Sequence, residues 1–180
     1  LFLAAAAAVA AGVDAKTYLY EDFKGDSLAK NWVTSTWKED MGKWDVSSGD
    51  WFGDEQAARG MRTTEDARFY AISRKLTEPL NNEGKKLIVQ YAVKNEKKGS
   101  SFCGGGYIKL LPPSTDLAKF GGDSPYQVMF GPDVCGYDVS RVHLIFSKDG
   151  KNVLRKEDVR LEWGDKDEFT HLYRLEINPD

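Results

Sequence analysis

The chain has 180 residues, of which 41% are hydrophobic and 29% charged, and its formal net charge is −3. This length and apolar content suffice for one domain with a substantial core. The weakly negative charge argues against nucleic acid as the main partner, since no basic face would attract phosphates. A metal site built from side chains is not indicated either, because the sequence has no CxxC or HExxH motif and its only histidines are His143 and His171.

The N-terminal stretch differs in composition from the rest of the chain. Residues 1–12 are apolar and rich in alanine, but too few to span a bilayer. They are followed by Val13-Asp14-Ala15, which has the small-residue pattern of a signal-peptidase site. We therefore predict a partial secretory signal peptide over 1–15, a mature domain over 16–180 and no transmembrane segment. The alternative is a buried alanine-rich helix.

Alternating apolar and polar residues predict strands along most of the mature domain. We expect them at 17–23, 68–75, 86–94, 106–111, 126–130, 141–147, 152–156 and 168–178. The strand over 86–94 has its apolar residues on one face, namely Leu87, Val89, Tyr91 and Val93. The strand over 168–178 has a similar face, formed by Phe169, His171, Tyr173, Leu175 and Ile177. Glycine-containing turn signals between these strands, without helical periodicity or an internal repeat, indicate an antiparallel β-sandwich or jelly roll.

Four of the five tryptophans lie close together in the N-terminal third of the sequence. The full set is Trp32, Trp37, Trp44, Trp51 and Trp163. We expect most of them to pack in the core or on a sheet face, because large aromatic side chains dominate packing energies. A sugar-stacking role for one of them is the alternative.

The two cysteines, Cys103 and Cys135, enclose a segment suited to a polar, ring-shaped ligand. In an oxidising compartment they should form a disulfide, which would stabilise the fold by about 3–4 kcal/mol. Tyr107 and Lys109 are two residues apart on a predicted strand and therefore share a sheet face. The three glycines before them would let a ligand approach the backbone closely. The alternative is a disulfide-linked hairpin with a glycine-rich turn and no ligand.

Two motifs resemble one protein family. Residues 128–136, Val-Met-Phe-Gly-Pro-Asp-Val-Cys-Gly, fit the second signature of the calreticulin and calnexin family of lectin chaperones at every position. Residues 103–111, Cys-Gly-Gly-Gly-Tyr-Ile-Lys-Leu-Leu, fit the core of the first signature. Supporting blocks lie at 47–49, 53–55, 66–71, 170–173 and 178–180, and the Asp-Ala-Arg-Phe-Tyr block favours the calreticulin branch. The resemblance implies an all-β, concanavalin-like antiparallel sandwich, incomplete over 16–180, that corresponds to the N-terminal part of the family's globular lectin domain.

The resemblance also implies a function and the residues that perform it. The family binds monoglucosylated high-mannose glycans on newly made glycoproteins, and unfolded proteins, in the lumen of the endoplasmic reticulum, with calcium as a cofactor. Carried over to this sequence, the glucose-binding positions are Tyr107, Lys109, Gly122, Tyr126, Met129, Asp133 and Ile145. The chaperone-related histidine is His171, and the calcium site would use backbone carbonyls of Asp22, Ala57 and Arg59. A protein disulfide isomerase is an expected partner through the family's proline-rich arm, which would follow Asp180.

Two other functions are considered beside this one. A β-sandwich glycoside hydrolase would need two carboxylates about 5–10 Å apart across a cleft. The nearest candidates, Glu162, Asp165, Asp167 and Glu168, are typical of a solvated turn, so no enzymatic activity is predicted. The other alternative is a binder of unfolded protein that acts without glycans. His171 shares its predicted face with two aromatic residues and is expected to be a hydrogen-bonded core histidine, while segment 97–102 departs from the family by its greater length.

Overall fold

The computed structural model describes residues 15–96, 103–136 and 138–179, and strands dominate these residues. The elements in chain order are α1 (Ser27–Asn31), β1 (Val33–Thr34), β2 (Trp44–Ser47), β3 (Gly60–Thr63), β4 (Ile72–Ser73), β5 (Leu87–Lys94), β6 (Cys103–Gly105), β7 (Ile108–Leu110), β8 (Val128–Cys135), β9 (Val139–Lys148), β10 (Lys151–Leu154), β11 (Val159–Arg160) and β12 (Thr170–Ile177), with 3-10 helices at Leu117–Lys119 and Trp163–Lys166. Among the helices in these three ranges, none has the length and apolar character needed to cross a membrane. The unusual segment 97–102 and nearly all of the predicted signal peptide lie outside the described residues.

The strands form the two layers of an antiparallel sandwich, which confirms the predicted fold class. In the large sheet β10, β9, β8 and β6 lie side by side, β7 continues β6 along β8, and β11 pairs with β9. The second layer is the antiparallel pair of β5 and β12. Two short additional pairs, β1 with β4 and β2 with β3, come from the N-terminal part of the chain.

The core lies between β8 and the β5–β12 pair. Val128, Phe130 and Val134 of β8 are buried together with Tyr173 and Leu175 of β12. Every second residue of β8 therefore points inward, and the residues between them point to the other side of the large sheet. We call this other side, on β7, β8 and β9, the open face.

The two strongest strand predictions are confirmed in type and in orientation. The strand expected at 86–94 is β5, and its predicted inward residues Val89, Tyr91 and Val93 pack against the core. The strand expected at 168–178 is β12. Phe169 is the exception, because it precedes β12 and is 62% exposed rather than facing the core.

The turn predicted at 148–151 closes the hairpin of β9 and β10. Lys148 pairs directly with Lys151, so Asp149 and Gly150 form a two-residue loop. Both loop residues have positive φ, 52° and 72°. This is the type I′ conformation that Asp-Gly favours and that matches the twist of the two strands.

The N-terminal part of the chain departs most from the predictions. The strand expected at 17–23 is wrong: these residues pair with no strand in the described part of the chain, and Tyr20 is 76% exposed. The strand expected at 68–75 is reduced to β4. Conversely α1 and the β2–β3 hairpin were not predicted. Alternating apolar residues indicate a segment with one buried face, but the segment forms a strand only where another strand lies beside it and pairs with its backbone.

Among the four N-terminal tryptophans only Trp44 lies on a strand, so the expectation that most of them lie in the core or on a sheet face is wrong for this group. Trp44 lies on β2 and contacts Tyr70 edge to face, with ring centroids 5.2 Å apart. Trp51 is 53% exposed, and Trp32 and Trp37 are half-buried outside the strands. Trp37 and Trp44 contact Phe69 and Tyr70 of the β3–β4 loop instead of the sandwich core.

Glu21 ties together the segment that precedes β1. Its carboxylate accepts hydrogen bonds from the backbone N–H of Phe23 at 2.7 Å, the hydroxyl of Ser27 at 2.7 Å and the indole of Trp32 at 2.9 Å. Arg74 completes the set with an ion pair at 2.6 Å. Burial by itself raises the pKa of Glu21, but the hydrogen bonds and the Arg74 charge outweigh it, so the pKa is lowered from its ordinary value of 4.5.

We expect Glu21→Gln to remove about 1–2 kcal/mol of stability near neutral pH, because a charge-assisted hydrogen-bond set becomes neutral. A lowered folded-state pKa stabilises the protein above the unfolded-state pKa, and this contribution disappears as the pH falls through the folded-state value. The difference between parent and variant should therefore be full above pH 4.5 and shrink below it. Urea unfolding across this pH range measures it, with the exposed Glu39→Gln as control. A difference that persists in acid would rule out the carboxylate charge as its cause.

Candidate functional site

Three of the predicted glucose-binding residues lie in one row across the open face. Lys109 on β7 pairs directly with Met129 on β8, and Met129 pairs with Ile145 on β9. Directly paired residues of antiparallel strands project to the same side of the sheet. Because Met129 lies between two inward-facing residues of β8, the whole row faces away from the core.

Lys109 connects this row to the loop between β7 and β8. Its ammonium group donates to the carbonyl oxygen of Gly122 at 3.3 Å. The same group lies 4.9 Å from the ring centroid of Tyr126 and 5.7 Å from that of Phe120. Burial lowers the pKa of Lys109, and the nearby charge of Asp123 partly offsets this effect. The structure thus brings Gly122 and Tyr126 to Lys109.

Asp133 and Tyr107 form the other end of the site. Tyr107 lies within electrostatic reach of the Asp133 carboxylate, and His143 Nε2 lies 3.0 Å from Asp133 Oδ2. The rings of Tyr107 and His143 meet edge to face at 5.9 Å. Burial first, and then the charge of Asp133, raise the pKa of Tyr107. Tyr107 therefore remains a hydrogen-bond donor at physiological pH.

The glycines before Tyr107 have a role that the sequence did not reveal. A Cβ atom on Gly105 would lie 2.1 Å from the hydroxyl oxygen of Tyr107, whereas one on Gly106 would meet nothing within 4 Å. The Tyr107 side chain thus folds back over Gly105. The missing side chain at Gly105 therefore makes room for the Tyr107 ring.

A proline interrupts the ladder beside Tyr107. Gly106 lies opposite Pro132, and its N–H donates to the Pro132 carbonyl at 3.0 Å. Proline has no N–H to return this bond. The hydroxyl of Tyr91, which comes from β5 in the other layer, approaches the Gly106 carbonyl at 2.7 Å and supplies the missing donor. The backbone that carries Tyr107 is therefore fixed from across the core.

The predicted disulfide is present. Cys103 and Cys135 are bonded and lie directly opposite each other on β6 and β8. The next two pairs along this ladder lead to Gly105 opposite Asp133. The disulfide thus secures the strand end from which Asp133 projects.

His171 lies apart from the open face. It occupies the inward side of β12 opposite Val93, and its Nε2 lies 2.8 Å from Asp167 Oδ1. The backbone N–H of Phe169 first, and then the His171 ring, lower the pKa of Asp167. A cleft of about 250 Å³ next to His171 is lined by Val159, Arg160, Leu161, Asp165, His171, Leu172 and Tyr173. The placement agrees with a hydrogen-bonded histidine at the core margin.

The predicted calcium ligands lie in two loops. Asp22 precedes α1, and Ala57 and Arg59 lie in the β2–β3 loop, where the Asp54 carboxylate accepts from the N–H of Ala57 at 3.0 Å. Within the described ranges, no group of three or more His, Cys, Asp or Glu side chains could hold a metal ion. A site of backbone carbonyls stays a prediction.

The structure adds two residues to the open-face site that the sequence analysis did not select. His143 lies two residues before Ile145 on β9, so strict alternation would have placed it on the same face. Phe120 belongs to a loop whose position depends on packing and had no sequence signal. Both contact predicted site residues, namely Asp133 and Lys109.

Comparisons with known proteins agree with this architecture. The family model described as calreticulin family matches residues 19–180. Calreticulin of Homo sapiens is 48% identical over 164 residues, which cover 91% of this chain and 38% of that protein. Calreticulin of Onchocerca volvulus is 42% identical over 168 residues, which cover 93% of this chain and 42% of that protein.

A solved structure gives the same result for the fold. The globular domain of T. cruzi calreticulin superposes with a TM-score of 0.80 and 43% identity, over 89% of this chain and 58% of that one. The chain spans about two fifths of the length of the two relatives named above. From its motifs, its sandwich and these similarities, we conclude that the chain belongs to the calreticulin family.

Proposed function

We propose that this chain is part of a lectin chaperone that binds monoglucosylated high-mannose glycans on folding glycoproteins. The observation that carries the proposal is the convergence of the expected sugar-binding residues on the open face. Lys109 and Tyr126 lie at one end, and Tyr107 and Asp133 at the other. Lys109 lies on β7, Asp133 on β8, Tyr126 in the β7–β8 loop and Tyr107 between β6 and β7.

The hydrogen-bonding capacity of this face suits a ligand rich in hydroxyl groups. The Lys109 ammonium has three donors, and the described contacts include one hydrogen bond, to Gly122. The Asp133 carboxylate has roughly four acceptor sites, and its described hydrogen bond is the one with His143. A sugar hydroxyl can accept from the lysine or donate to the aspartate. The rings of Tyr107 and Tyr126 add apolar faces for the sugar ring.

Tyr107→Ala and Lys109→Ala should each weaken binding of a glucose-capped high-mannose glycan by tenfold or more. A hydrogen bond to a charged group contributes about 1.5–3 kcal/mol, and about 1.4 kcal/mol corresponds to a factor of ten in affinity. Isothermal titration calorimetry measures the change. The matched controls are Tyr20→Ala and Lys151→Ala, which alter exposed residues away from the site. If the parent protein does not discriminate glucose-capped from uncapped glycans, the proposal fails.

Binding of unfolded protein without glycans is a second candidate, favoured by the cleft beside His171. Leu161, Leu172 and Tyr173 give this cleft apolar walls that suit an apolar client side chain. The Tyr107→Ala and Lys109→Ala variants separate the two functions. Under the lectin proposal these variants lose glycan binding. If they still suppress the aggregation of a non-glycosylated client, a different surface binds the unfolded protein.

We propose that recognition proceeds without catalysis. Glu162 and Asp165 cap the 3-10 helix Trp163–Lys166 reciprocally through each other's backbone N–H groups. Asp167 accepts from Phe169 N–H and lies against His171. Three of the four carboxylates considered for a glycoside hydrolase, Glu162, Asp165 and Asp167, thus have roles in local structure. An assay on glucans that detected hydrolysis would overturn this part of the proposal.

The remaining properties follow from the family and are proposed with it. We propose a location in the lumen of the endoplasmic reticulum, calcium at the carbonyls of Asp22, Ala57 and Arg59, and partnership with a protein disulfide isomerase. Such a calcium site would require the carbonyls of the segment before α1 and of the β2–β3 loop to converge on one ion. When bound, calcium would link these loops electrostatically. A calorimetric calcium titration tests the assignment.

A further inference from the structure

The β7–β8 loop is fastened to the segment that follows β1. Thr36 donates its backbone N–H to the Ala118 carbonyl at 2.8 Å, and its hydroxyl donates to the same oxygen at 3.1 Å. Ser73 on β4 donates to the Leu117 carbonyl at 3.3 Å. These bonds fix the first half of the loop. They leave the second half, which carries Gly122, to be fixed by other contacts.

Trp37 supplies the contact for the second half. A Cβ atom on Gly121 would lie 2.1 Å from Trp37 Cδ2, and one on Gly122 would lie 3.3 Å from its Cη2. The indole therefore packs directly on the backbone of these two glycines. At Gly121 only a residue without a side chain allows this approach, whereas at Gly122 the contact would be tight. Neither glycine has a φ that would itself demand glycine.

The indole is itself held from the side. Lys38 Nζ lies 4.7 Å from the centroid of Trp37 and 4.0 Å from that of Phe69. Phe69 meets Trp37 edge to face at 6.0 Å. The backbone N–H of Trp37 donates to the hydroxyl of Ser35, which is 2% exposed. The aromatic surface pressed on Gly121 is thus part of a packed local structure.

We propose that Trp37 is a positioning residue of the sugar site. It holds the Gly121–Gly122 backbone so that the Gly122 carbonyl receives the Lys109 ammonium, and this bond fixes the direction of the remaining lysine donors. Trp37 lies beneath the loop and acts through Gly122 rather than through the ligand. The link to sugar affinity rests on the proposed function, whereas the link to Lys109 does not.

The test is a double-mutant cycle on the intact protein. Gly121→Ala alone should displace the loop and lower glycan affinity about tenfold, the equivalent of one charged hydrogen bond. Trp37→Ala should lower it by a similar factor. In the Gly121→Ala/Trp37→Ala variant the added methyl no longer meets the indole. The glycan affinity of this double variant should therefore differ from that of Trp37→Ala by less than about twofold. Gly53→Ala is the matched control, because a Cβ atom there meets nothing within 4 Å.

A second readout separates positioning from a general loss of structure. The rate of acylation of Lys109 by an amine reagent, followed by peptide mass spectrometry, should rise severalfold in Gly121→Ala and Trp37→Ala and stay at the parent value in Gly53→Ala. The exposed Lys151 should label at one rate in all variants. Equal Lys109 labelling in all variants, or additive effects in the cycle, would overturn the proposal. If Lys109 labelling changes in the variants but the parent protein binds no glycan, the positioning of Lys109 by Trp37 stands and the lectin function is rejected.

Discussion

Gly131→Ala is expected to destabilise the protein by about 3 kcal/mol, as overpacking and a strained backbone act at one position. Gly131 has a φ of 153°, which residues with a side chain rarely adopt. A Cβ atom there would lie 2.0 Å from the Tyr91 hydroxyl oxygen and 2.2 Å from the Gly106 carbonyl oxygen. Neither atom can move freely, since they are hydrogen-bonded to each other across the core. Urea unfolding measures the loss.

Gly106→Ala is the matched control for this change. Gly106 lies in the same break of the ladder, but a Cβ atom there meets nothing within 4 Å. We expect it to change stability by less than about 0.5 kcal/mol, as for an ordinary surface substitution. A Gly131→Ala variant as stable as the Gly106→Ala variant would contradict the close packing of Tyr91 against this strand.

The second large effect is expected from removal of the disulfide. Cys103→Ala/Cys135→Ala should cost about 4 kcal/mol, because the bond closes a loop between residues 32 positions apart and restricts the unfolded chain. Urea unfolding under oxidising conditions, compared with the parent, measures the difference. Glycan affinity should fall as well, since the strand end that carries Asp133 loses its covalent tie to β6.

Reduction provides the control for the double variant. A reducing agent should lower the stability of the parent to that of Cys103→Ala/Cys135→Ala and leave the variant unchanged. If reduction affects both proteins equally, or if the variant loses less than about 1 kcal/mol, the loop-closure account is wrong.

The strands of the core could be predicted because each has one buried face. The apolar residues of β5 and β12 alternate without interruption, and both strands are where the sequence indicates. The strand expected at 126–130 in fact continues to Cys135 as β8. Gly131 and Pro132 hide this continuation, because both residues are poor strand formers. Their place in the strand depends on Tyr91, which is distant in sequence.

The N-terminal third could not be predicted from periodicity, because polar side chains hold it together. Glu21 collects donors from Ser27, Trp32 and Arg74, and the last of these is more than fifty positions away in the sequence. Such contacts leave no repeating pattern.

On the open face, the spacing of Tyr107 and Lys109 predicts their shared side, whereas Gly122, Met129 and Ile145 were predicted from the family resemblance alone. Trp37 had no sequence signal, because its contact depends on a loop that is distant in sequence.

Because the Tyr91 hydroxyl bonds to the Gly106 carbonyl opposite Pro132, the residue that suits position 91 depends on the residue at position 132. Tyr91 is needed at this carbonyl because Pro132 lacks an N–H, so the value of the hydroxyl depends on which residue occupies position 132. A residue with an N–H at 132 could pair with Gly106 itself, and phenylalanine at 91 would then leave no carbonyl unpaired. With proline in place, loss of the hydroxyl leaves the exposed Gly106 carbonyl without a protein donor, and only water can replace the bond. Exchange of the tyrosine should therefore cost less once the proline has been lost.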